Sequence, residues 1–181
     1  LEIGCGTGLL LLPLVRECER YVGTDFSKVA LDYVTKQLEQ QPVVADVSLL
    51  HRAADEFEGM EPESFDLVIL NSVVQYFPSS LYLRRVLDGA ARVLRPGGRL
   101  FVGDVRNLLL LPALHTSVDF FQAADTAARD QVWRRVQNRI AADAELLLDP
   151  SWFHKLVDGD SGITQVETLL TVSYTHLTLP T

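Results

Sequence analysis

The stretch LEIGCGTGLL, residues 1–10, begins with an apolar residue and an acid and places glycines at positions 4, 6 and 8. Glycine loses more conformational freedom on folding than any other residue. This spacing therefore indicates either backbone torsions that other residues avoid or the close approach of another group. A loop of this kind between an apolar segment and a leucine-rich segment is typical of a strand-to-helix turn whose backbone contacts a ligand. The stretch predicts an α/β fold with a binding site at its first turn.

The rest of the chain alternates short apolar segments with segments of helical periodicity. Strands are predicted at residues 20–25, 47–55, 64–72, 99–105 and 163–170, with a turn at RPGG (95–98). Helices are predicted at 9–18, after the N-cap candidate Ser27, at 80–94, 107–122 and 126–147, and after Asp149-Pro150. Such alternation implies parallel βαβ units with right-handed crossovers. We therefore expect a Rossmann-like, doubly wound, mostly parallel sheet with helices on both faces.

Both ends of the sequence predict a truncated domain. Leu1-Glu2-Ile3 is typical of the end of a strand that has already begun. At the other end, VSYTHLTLPT (172–181) has no Asp, Glu, Lys or Arg and no amphipathic pattern, and it resembles the translated read-through of a sequencing-library adaptor. We expect one domain over residues 1–171, lacking its N-terminus and its last strand or strands, followed by a non-native tail at 172–181.

Composition narrows the classes of partner. The 181 residues are 48% hydrophobic and 22% charged with a net charge of −8 and no Lys/Arg cluster, which disfavours a nucleic-acid surface. Pro13 and Pro112 interrupt the leucine-rich segments, so no apolar run reaches membrane-spanning length. Cys5 and Cys18 form neither a disulfide framework nor metal-ligand spacing. We expect a cytoplasmic protein without a bound metal that acts on a small-molecule or protein-borne substrate.

The glycine spacing distinguishes two kinds of nucleotide site. A dinucleotide fingerprint, G-x-G-x-x-G, requires glycine at position 9, where this chain has Leu9. Glu2, two residues before the loop, would repel a pyrophosphate but could orient a cationic ligand. Asp25 ends the second strand, where an acid accepts hydrogen bonds from ribose hydroxyls. Its alternative role is a favourable charge at the start of the helix that Ser27 caps.

Further candidates follow the other predicted strands. Asp55 could accept from an adenine amino group or be a solvated acid in a turn, and Phe26 could flank a purine or lie in the core. Asn71 and Asp104 follow the fourth and fifth strands. Because ligands of doubly wound sheets bind at the carboxyl ends of the strands, these residues are expected to meet. Together they specify an adenosine with a positively charged group and no phosphates, which describes S-adenosyl-L-methionine.

The same segments resemble the class I S-adenosylmethionine-dependent methyltransferases. LEIGCGTG is similar to their first motif, VGTDFS to the acidic second-strand motif and RAADEF to the adenine-side motif. FDLVILNSVVQYF and LRPGGRLFVGDV resemble the fourth- and fifth-strand motifs, so the likeness spans about residues 1–105. It implies that Glu2 and the glycines shape the methionine side of the cofactor site and that Asp25 binds the ribose and Asp55 the adenine. The full set of expected cofactor-binding residues is Glu2, Gly4, Gly6, Gly8, Asp25, Phe26, Ala54, Asp55 and Asn71.

A narrower resemblance lies in NSVVQYFPSSLYLRRVL (71–87) and LFVGDVRNLLLLPALHTSV (100–118). These segments are similar to the methyltransferase domains of nonribosomal peptide synthetases. Those domains N-methylate aminoacyl groups held on a carrier protein, so the resemblance implies a carrier-tethered amino acid as substrate. Two alternatives stay open: an O- or C-methyltransferase acting on a small molecule, and a non-catalytic methyltransferase-like module.

Three residues are candidates for the chemical step. An amine must be neutral to attack, so a carboxylate or imidazole could take its proton, and Asp104 and His115 are placed to do so. His115 could instead be a histidine of the surface or core, since the sequence shows no partner for it. Tyr76 could line the substrate side or be a core residue.

Overall fold

A computed structural model describes residues 1–40, 44–123, 128–157 and 162–170. The strands are β1 (Glu2–Ile3), β2 (Arg20–Asp25), β3 (Asp46–His51), β4 (Phe65–Asn71), β5 (Leu94–Gly103), β6 (Arg106–Asn107) and β7 (Leu147–Leu148). The α-helices are α1 (Leu11–Leu14), α2 (Lys28–Glu39), α3 (Ser80–Val93), α4 (Leu111–Gln122), α5 (Arg129–Ala142) and α6 (Ser151–His154). Short 3₁₀ helices occupy Val15–Glu17, Val74–Tyr76 and Leu108–Leu110.

Five strands pair in the order β3-β2-β1-β4-β5, and every pairing is parallel. The chain leaves β1 toward β2 on one side and later returns to β4 on the other, so the strand order reverses beside β1. This confirms the expected doubly wound sheet. Loops that leave neighbouring strands in opposite directions open a crevice at the carboxyl edge, and β1 and β4 border it here. A second, two-stranded parallel sheet pairs β6 with β7.

Alternate side chains of the strands enter two apolar layers, as expected for a sheet covered on both faces. Tyr21 belongs to a cluster with Leu11 of α1 and Val34 of α2. Its neighbour Val22 belongs to the other cluster, with Leu83 and Leu87 among the α3 residues. Complete burial of such side chains contributes about 1.5–3 kcal/mol each. These layers hold the loops at the carboxyl edge in place.

Two helices begin at serine caps. Ser27 Oγ accepts from the Ala30 amide at 3.3 Å at the start of α2, which confirms the expected cap. Ser79 Oγ accepts from the Tyr82 amide at 3.2 Å at the start of α3. Each cap satisfies one of the amides that the first helical turn leaves unpaired.

Several predicted boundaries were wrong. The expected strand at 163–170 is absent from the described residues 162–170, where Leu169 and Leu170 are exposed. An alternating pattern forms a strand only where a sheet edge pairs with it, and none of the described strands pairs with residues 163–170. The helix expected at 9–18 is the short α1 followed by a 3₁₀ turn, and the strand expected at 47–55 ends at His51. The RPGG turn lies within β5 as a register shift opposite Phe65–Leu67.

The helix expected over 126–147 is also shorter. Within the described part of that range, α5 ends at Ala142, and residues 147–148 form β7. Asp149 behaves as a cap, since its Oδ1 accepts from the Ser151 amide at 2.8 Å. The expected tail at 172–181 lies outside the described residues. In the described part of the chain, no helix has the length and apolarity needed to cross a membrane.

Candidate active site

The glycine loop after β1 lies at the reversal of strand order. Gly4, Gly6 and Gly8 all have left-handed torsions, with φ of +76°, +51° and +81°. A Cβ on Gly4 would lie 2.6 Å from Val73 Cγ2, so the missing side chain lets the segment after β4 pack against the loop. A Cβ on Gly6 would meet no atom within 4 Å. The space over Gly6 is where a ligand can lie against the backbone.

Asp25 ties this loop to the end of β2. Its Oδ2 accepts from the Gly6 amide at 2.8 Å and its Oδ1 accepts from the Ser27 amide at 2.7 Å. The residue is 7% exposed. Its contact with the start of α2 is the role that the sequence left open as an alternative. An ionised carboxylate has about four acceptor sites, so two remain for donors of a ligand, such as the ribose hydroxyls that the sequence led us to expect.

Glu2 lies beneath the loop and is 3% exposed. Its Oε2 accepts from the Tyr21 hydroxyl at 2.7 Å. Burial raises the pKa of the Glu2 carboxyl against the opposing effect of this hydrogen bond, and burial also raises the pKa of Tyr21. A positive charge placed near Glu2 would favour its ionised form, so the residue suits a site for a cationic ligand. Tyr21 was missed at the sequence level because an aromatic residue in a buried strand is typical of a core.

Cys5 is also part of the loop and is 4% exposed. Burial, followed by the nearby Glu2 and Asp25 carboxylates, raises the pKa of its thiol to about 12. The thiol is therefore not a nucleophile in the folded chain.

The expected adenine side contains Phe26, Ala54 and Asp55. Phe26 is 80% exposed, so its ring is not a core residue and is free to contact a ligand. Ala54 is partly buried against the α3 layer. Asp55 accepts from the Tyr82 hydroxyl at 2.8 Å and from Arg85 Nη2 at 3.2 Å. Burial would raise the pKa of Asp55, but hydrogen bonds from Tyr82, Arg85 and the backbone, with the charge of Arg85, together lower it.

Tyr82 and Arg85 were missed by sequence reasoning. Their spacing of three places them on the same face of α3, which is the signal that could have found them. Arg85 Cζ lies 5.1 Å from the centroid of the Tyr82 ring. Asp55 is therefore held by α3 instead of projecting freely, and its remaining acceptor sites are those available to a base.

Asn71, Ser72 and Asp104 meet at the carboxyl ends of β4 and β5. Asn71 Nδ2 donates to Ser72 Oγ at 3.1 Å, and Ser72 Oγ donates to Asp104 Oδ2 at 2.5 Å. The structure thus brings the two predicted residues together through Ser72, which the sequence did not single out. Tyr76 follows in the 3₁₀ turn after β4 and is 74% exposed, so its alternative as a core residue is wrong.

His115 has the partner that the sequence did not reveal. Its Nε2 lies 3.1 Å from Asp143 Oδ2, and Arg106 Nη2 donates to the same oxygen at 2.8 Å. Glu145 accepts from Arg106 Nη1. Burial would raise the pKa of Asp143, but hydrogen bonds from the Glu145 amide and His115, with the charge of Arg106, lower it. These groups come from separate parts of the chain, so no spacing in the sequence predicts them.

Taken together, this edge of the sheet fits S-adenosylmethionine. The open backbone at Gly6, the acceptor sites of Asp25 and the buried acid Glu2 match an adenosine that carries a positive charge. Leu9 stands where a dinucleotide loop has its third glycine, and its side chain is 83% exposed. In the described residues, no group of three or more His, Cys, Asp or Glu side chains is arranged to hold a metal ion.

Comparison with known proteins agrees with the geometry. A family model described as a methyltransferase domain matches residues 1–102. The chain belongs to this methyltransferase family and is an S-adenosylmethionine-dependent enzyme. Two solved structures share the fold: the YcgJ protein of Bacillus subtilis and the N-methyltransferase NodS of Bradyrhizobium japonicum. The first has a TM-score of 0.54 at 18% identity, covering 77% of this chain and 59% of that one. The second has a TM-score of 0.51 at 22% identity, covering 76% of this chain and 68% of that one.

Relatives with much higher identity are very large proteins. The chain is 47% identical over 167 residues to the chondramide synthase cmdD of Chondromyces crocatus, which is 92% of this chain and 4% of that protein. It is 38% identical over 169 residues to the beauvericin nonribosomal cyclodepsipeptide synthetase of Beauveria bassiana, which is 91% of this chain and 5% of that protein. The chain thus spans only a small part of these relatives.

Proposed function

We propose that the chain N-methylates the α-amine of an aminoacyl or peptidyl group carried as a thioester during nonribosomal peptide synthesis. The observation that carries this proposal is the match to the chondramide synthase over 167 of 181 residues. A match of that length includes much of the segment after β5, beyond the family model that ends at residue 102. The likeness therefore extends past the cofactor half into the part expected to meet the acceptor.

The bound cofactor supplies an activated methyl group on a sulfonium, so the chain has little bond chemistry to add. Its tasks are to hold the acceptor in line, to exclude water and to take a proton where the acceptor is an ammonium ion. Asp104 is exposed at the end of β5 and Tyr76 is exposed after β4. We assign Asp104 as proton acceptor, with Tyr76 lining the acceptor side. His115, held by Asp143, is the second candidate base.

Several features support a carrier-tethered acceptor. The net charge of −8 disfavours nucleic acid, and Tyr76 and Phe26 leave aromatic surface open at the edge of the site. Tethering raises the effective concentration of the acceptor, so the site need not enclose it. A synthetase of this kind works in the cytoplasm, where we place the protein.

Mass spectrometry of an aminoacyl-loaded carrier incubated with the protein and S-adenosylmethionine tests the proposal. We expect a gain of one methyl group on the carrier-bound amine. Asp104→Asn and Tyr76→Phe should lower the rate more than the cofactor affinity. Methylation of a free oxygen or carbon nucleophile, with none on the carrier-bound amine, would reject the carrier-bound amine as acceptor. It would support only the broader assignment of the chain as a methyltransferase. Cofactor binding with no transfer to any acceptor would favour a non-catalytic module.

A further inference from the structure

Ser72 and Asp104 adopt the same uncommon backbone conformation at the ends of neighbouring strands. Their φ angles are +56° and +57°, and among the described residues Glu63 is the other non-glycine residue with positive φ. This left-handed conformation is disfavoured for an L-residue, because its Cβ lies too close to the following carbonyl oxygen. Such strain persists where the surrounding structure holds it and is found repeatedly at functional sites. Here the two strained residues contact each other, with Ser72 Oγ and Asp104 Oδ2 2.5 Å apart.

The hydrogen bonds around Ser72 run in one direction. Asn71 Nδ2 donates to Ser72 Oγ, and the single hydroxyl proton of Ser72 is given to Asp104 Oδ2. The Ser72 amide donates to the Gly103 carbonyl at 3.2 Å. A Cβ on Gly103 would lie 2.1 Å from Asn71 Oδ1, so this glycine makes room for the Asn71 side chain. Ser72 is thus oriented from both strands, and a hydroxyl that accepts one bond donates its own more strongly.

The pair lies beside the cofactor loop. Val73, the residue after Ser72, packs where Gly4 has no side chain, with Val73 Cγ2 2.6 Å from the position of a Gly4 Cβ. Ser72 is therefore adjacent in sequence to a residue that packs against the glycine loop, which is expected to shape the methionine side of the site. In the described part of the chain, Asp104 Oδ1 has no hydrogen bond, and the residue is exposed. One carboxylate oxygen is thus held by Ser72, and the other is left without a hydrogen bond from the described residues.

We infer that Ser72 is a positioning residue that holds Asp104 Oδ2 so that Oδ1 can accept a proton from the ammonium group of the methyl acceptor. In that step the N–H bond breaks, its electron pair stays on nitrogen as the lone pair, and the proton joins Oδ1. The assignment of Oδ1 rests on the proposed function, because it requires an amine acceptor. The hydrogen bond by which Ser72 positions Asp104 does not depend on the proposed function.

Four variants separate the hydroxyl from the backbone conformation. Ser72→Ala removes the hydroxyl and keeps the strain, whereas Ser72→Gly removes both. We expect both to lower kcat about tenfold or more, with KM and the affinity for S-adenosylhomocysteine changed less than about twofold. Ser72→Thr retains the hydroxyl and should recover most of kcat, with a lower melting temperature because a β-branched residue fits this conformation poorly. Ser64→Ala, which removes a serine hydroxyl that donates to the Glu61 carbonyl, is the control and should leave kcat unchanged.

A double mutant tests whether Ser72 acts through Asp104. The Ser72→Ala change should lower kcat no further in an Asp104→Asn background. Multiplied losses would show independent roles and overturn the inference. Native kcat in the Ser72→Gly variant would also overturn it.

A ligand-free measurement keeps this test separate from that of the proposed function. The ¹³C carboxyl resonance of Asp104, assigned by its absence from Asp104→Asn, should move in Ser72→Ala and Ser72→Gly but not in Ser64→Ala. An unmoved resonance would overturn the hold of Ser72 on Asp104. A moved resonance in a protein that methylates no carrier-bound amine would support the hold and reject the proposed acceptor, together with the role of Oδ1.

Discussion

The sheet, residues 1–103, and the segment that follows it, residues 104–157, are stabilised in different ways. In the sheet region, side chains such as Val68 and Leu83 are fully buried in apolar layers. In the later segment, two buried carboxylate side chains face cationic partners, whereas the buried Glu2 and Asp25 of the sheet region accept from neutral donors. Asp119 of α4, 1% exposed, faces two arginines of α5, and Asp143 pairs with Arg106 and His115. Apolar burial thus predominates in the sheet region, whereas the later segment combines apolar burial with specific pairs of carboxylates and cations.

The two kinds of stabilisation respond differently to substitution. An apolar layer can repack around a small change, whereas a buried charge that loses its partner remains uncompensated. The residues expected to bind the cofactor lie in the first region, and part of the expected acceptor side lies in the second. Substitutions in the two regions should therefore differ in their effects on stability, on cofactor affinity and on the response to pH.

The largest expected effect is that of Asp143→Ala. Its side chain is 7% exposed and accepts from Arg106 and His115, so its loss leaves His115 without this partner and Arg106 with Glu145 as its remaining carboxylate. We expect the free energy of unfolding to fall by about 3 kcal/mol in chemical denaturation. Asp88→Ala, which breaks an exposed i,i+4 pair with Arg84, is the control and should cost less than about 0.5 kcal/mol. Equal losses would remove the distinction between the two regions.

Asp25→Ala should act chiefly on the cofactor. The variant loses the acceptor for the Gly6 and Ser27 amides as well as the expected ribose contact. Calorimetry with S-adenosylhomocysteine should show a loss of about 1.5–3 kcal/mol in binding free energy. Asp32→Ala, at an exposed carboxylate on α2, should bind normally. Unchanged affinity in Asp25→Ala would remove Asp25 from the site.

Two glycine substitutions distinguish packing from ligand contact within the loop. Gly4→Ala places a Cβ against Val73, so we expect a stability loss of about 1–2 kcal/mol. Gly6→Ala has a similar backbone penalty, but its new Cβ meets no protein atom, so the free energy of unfolding should fall by about 1 kcal/mol. Its affinity for the cofactor should fall more than that of Gly4→Ala. Thermal unfolding with and without S-adenosylhomocysteine measures both. A larger affinity loss in Gly4→Ala than in Gly6→Ala would contradict this account of the loop.

The smallest expected effects are opposite responses to pH. The pKa of Asp143 is lowered from 3.8, so its contribution to stability is present above about pH 4 and is lost as pH falls through the lowered pKa. The pKa of Glu2 is raised from 4.5, so its contribution is present below about pH 4.5 and is lost as pH rises through the raised pKa.

Denaturation across pH, compared with two isosteric variants, measures these responses. The difference in free energy of unfolding between Asp143→Asn and the native protein should shrink in acid. The free energy of unfolding of Glu2→Gln should rise relative to that of the native protein as pH rises. Parallel curves for the two variants would contradict the assignment.

The sequence predicted the sheet well because local signals determined it. The loop at Gly4–Gly8, the cap at Ser27 and the apolar run of β4 each follow from neighbouring residues. The segment at 163–170 was predicted as a strand from alternation alone, which cannot show whether a sheet edge is present to pair with it. Leu94 was expected to end a helix but begins β5, because helix and strand patterns overlap at a boundary.

The candidate site was predicted in position but not in its hydrogen bonds. Asp25 ends β2 and Asp104 directly follows β5, as expected, whereas Asp55 lies beyond the end of β3 at His51. Their roles toward a ligand remain predictions. Their partners were not foreseen, since Tyr82 approaches Asp55 from α3 across 27 positions of sequence. Asp143 approaches His115 across 28 positions. Tertiary contacts of this kind depend on packing, which spacing in the sequence does not encode.

The buried Cys5 makes the cofactor loop resistant to oxidants. Peroxides and alkylating reagents attack the thiolate, and a thiol with a pKa near 12 at 4% exposure supplies almost none at neutral pH. Labelling of Cys5 then requires the loop to open, so the labelling rate reports how often it does so. The Cys5 thiol, which takes no part in the proposed chemistry, can thus be used to measure the opening rate of the loop.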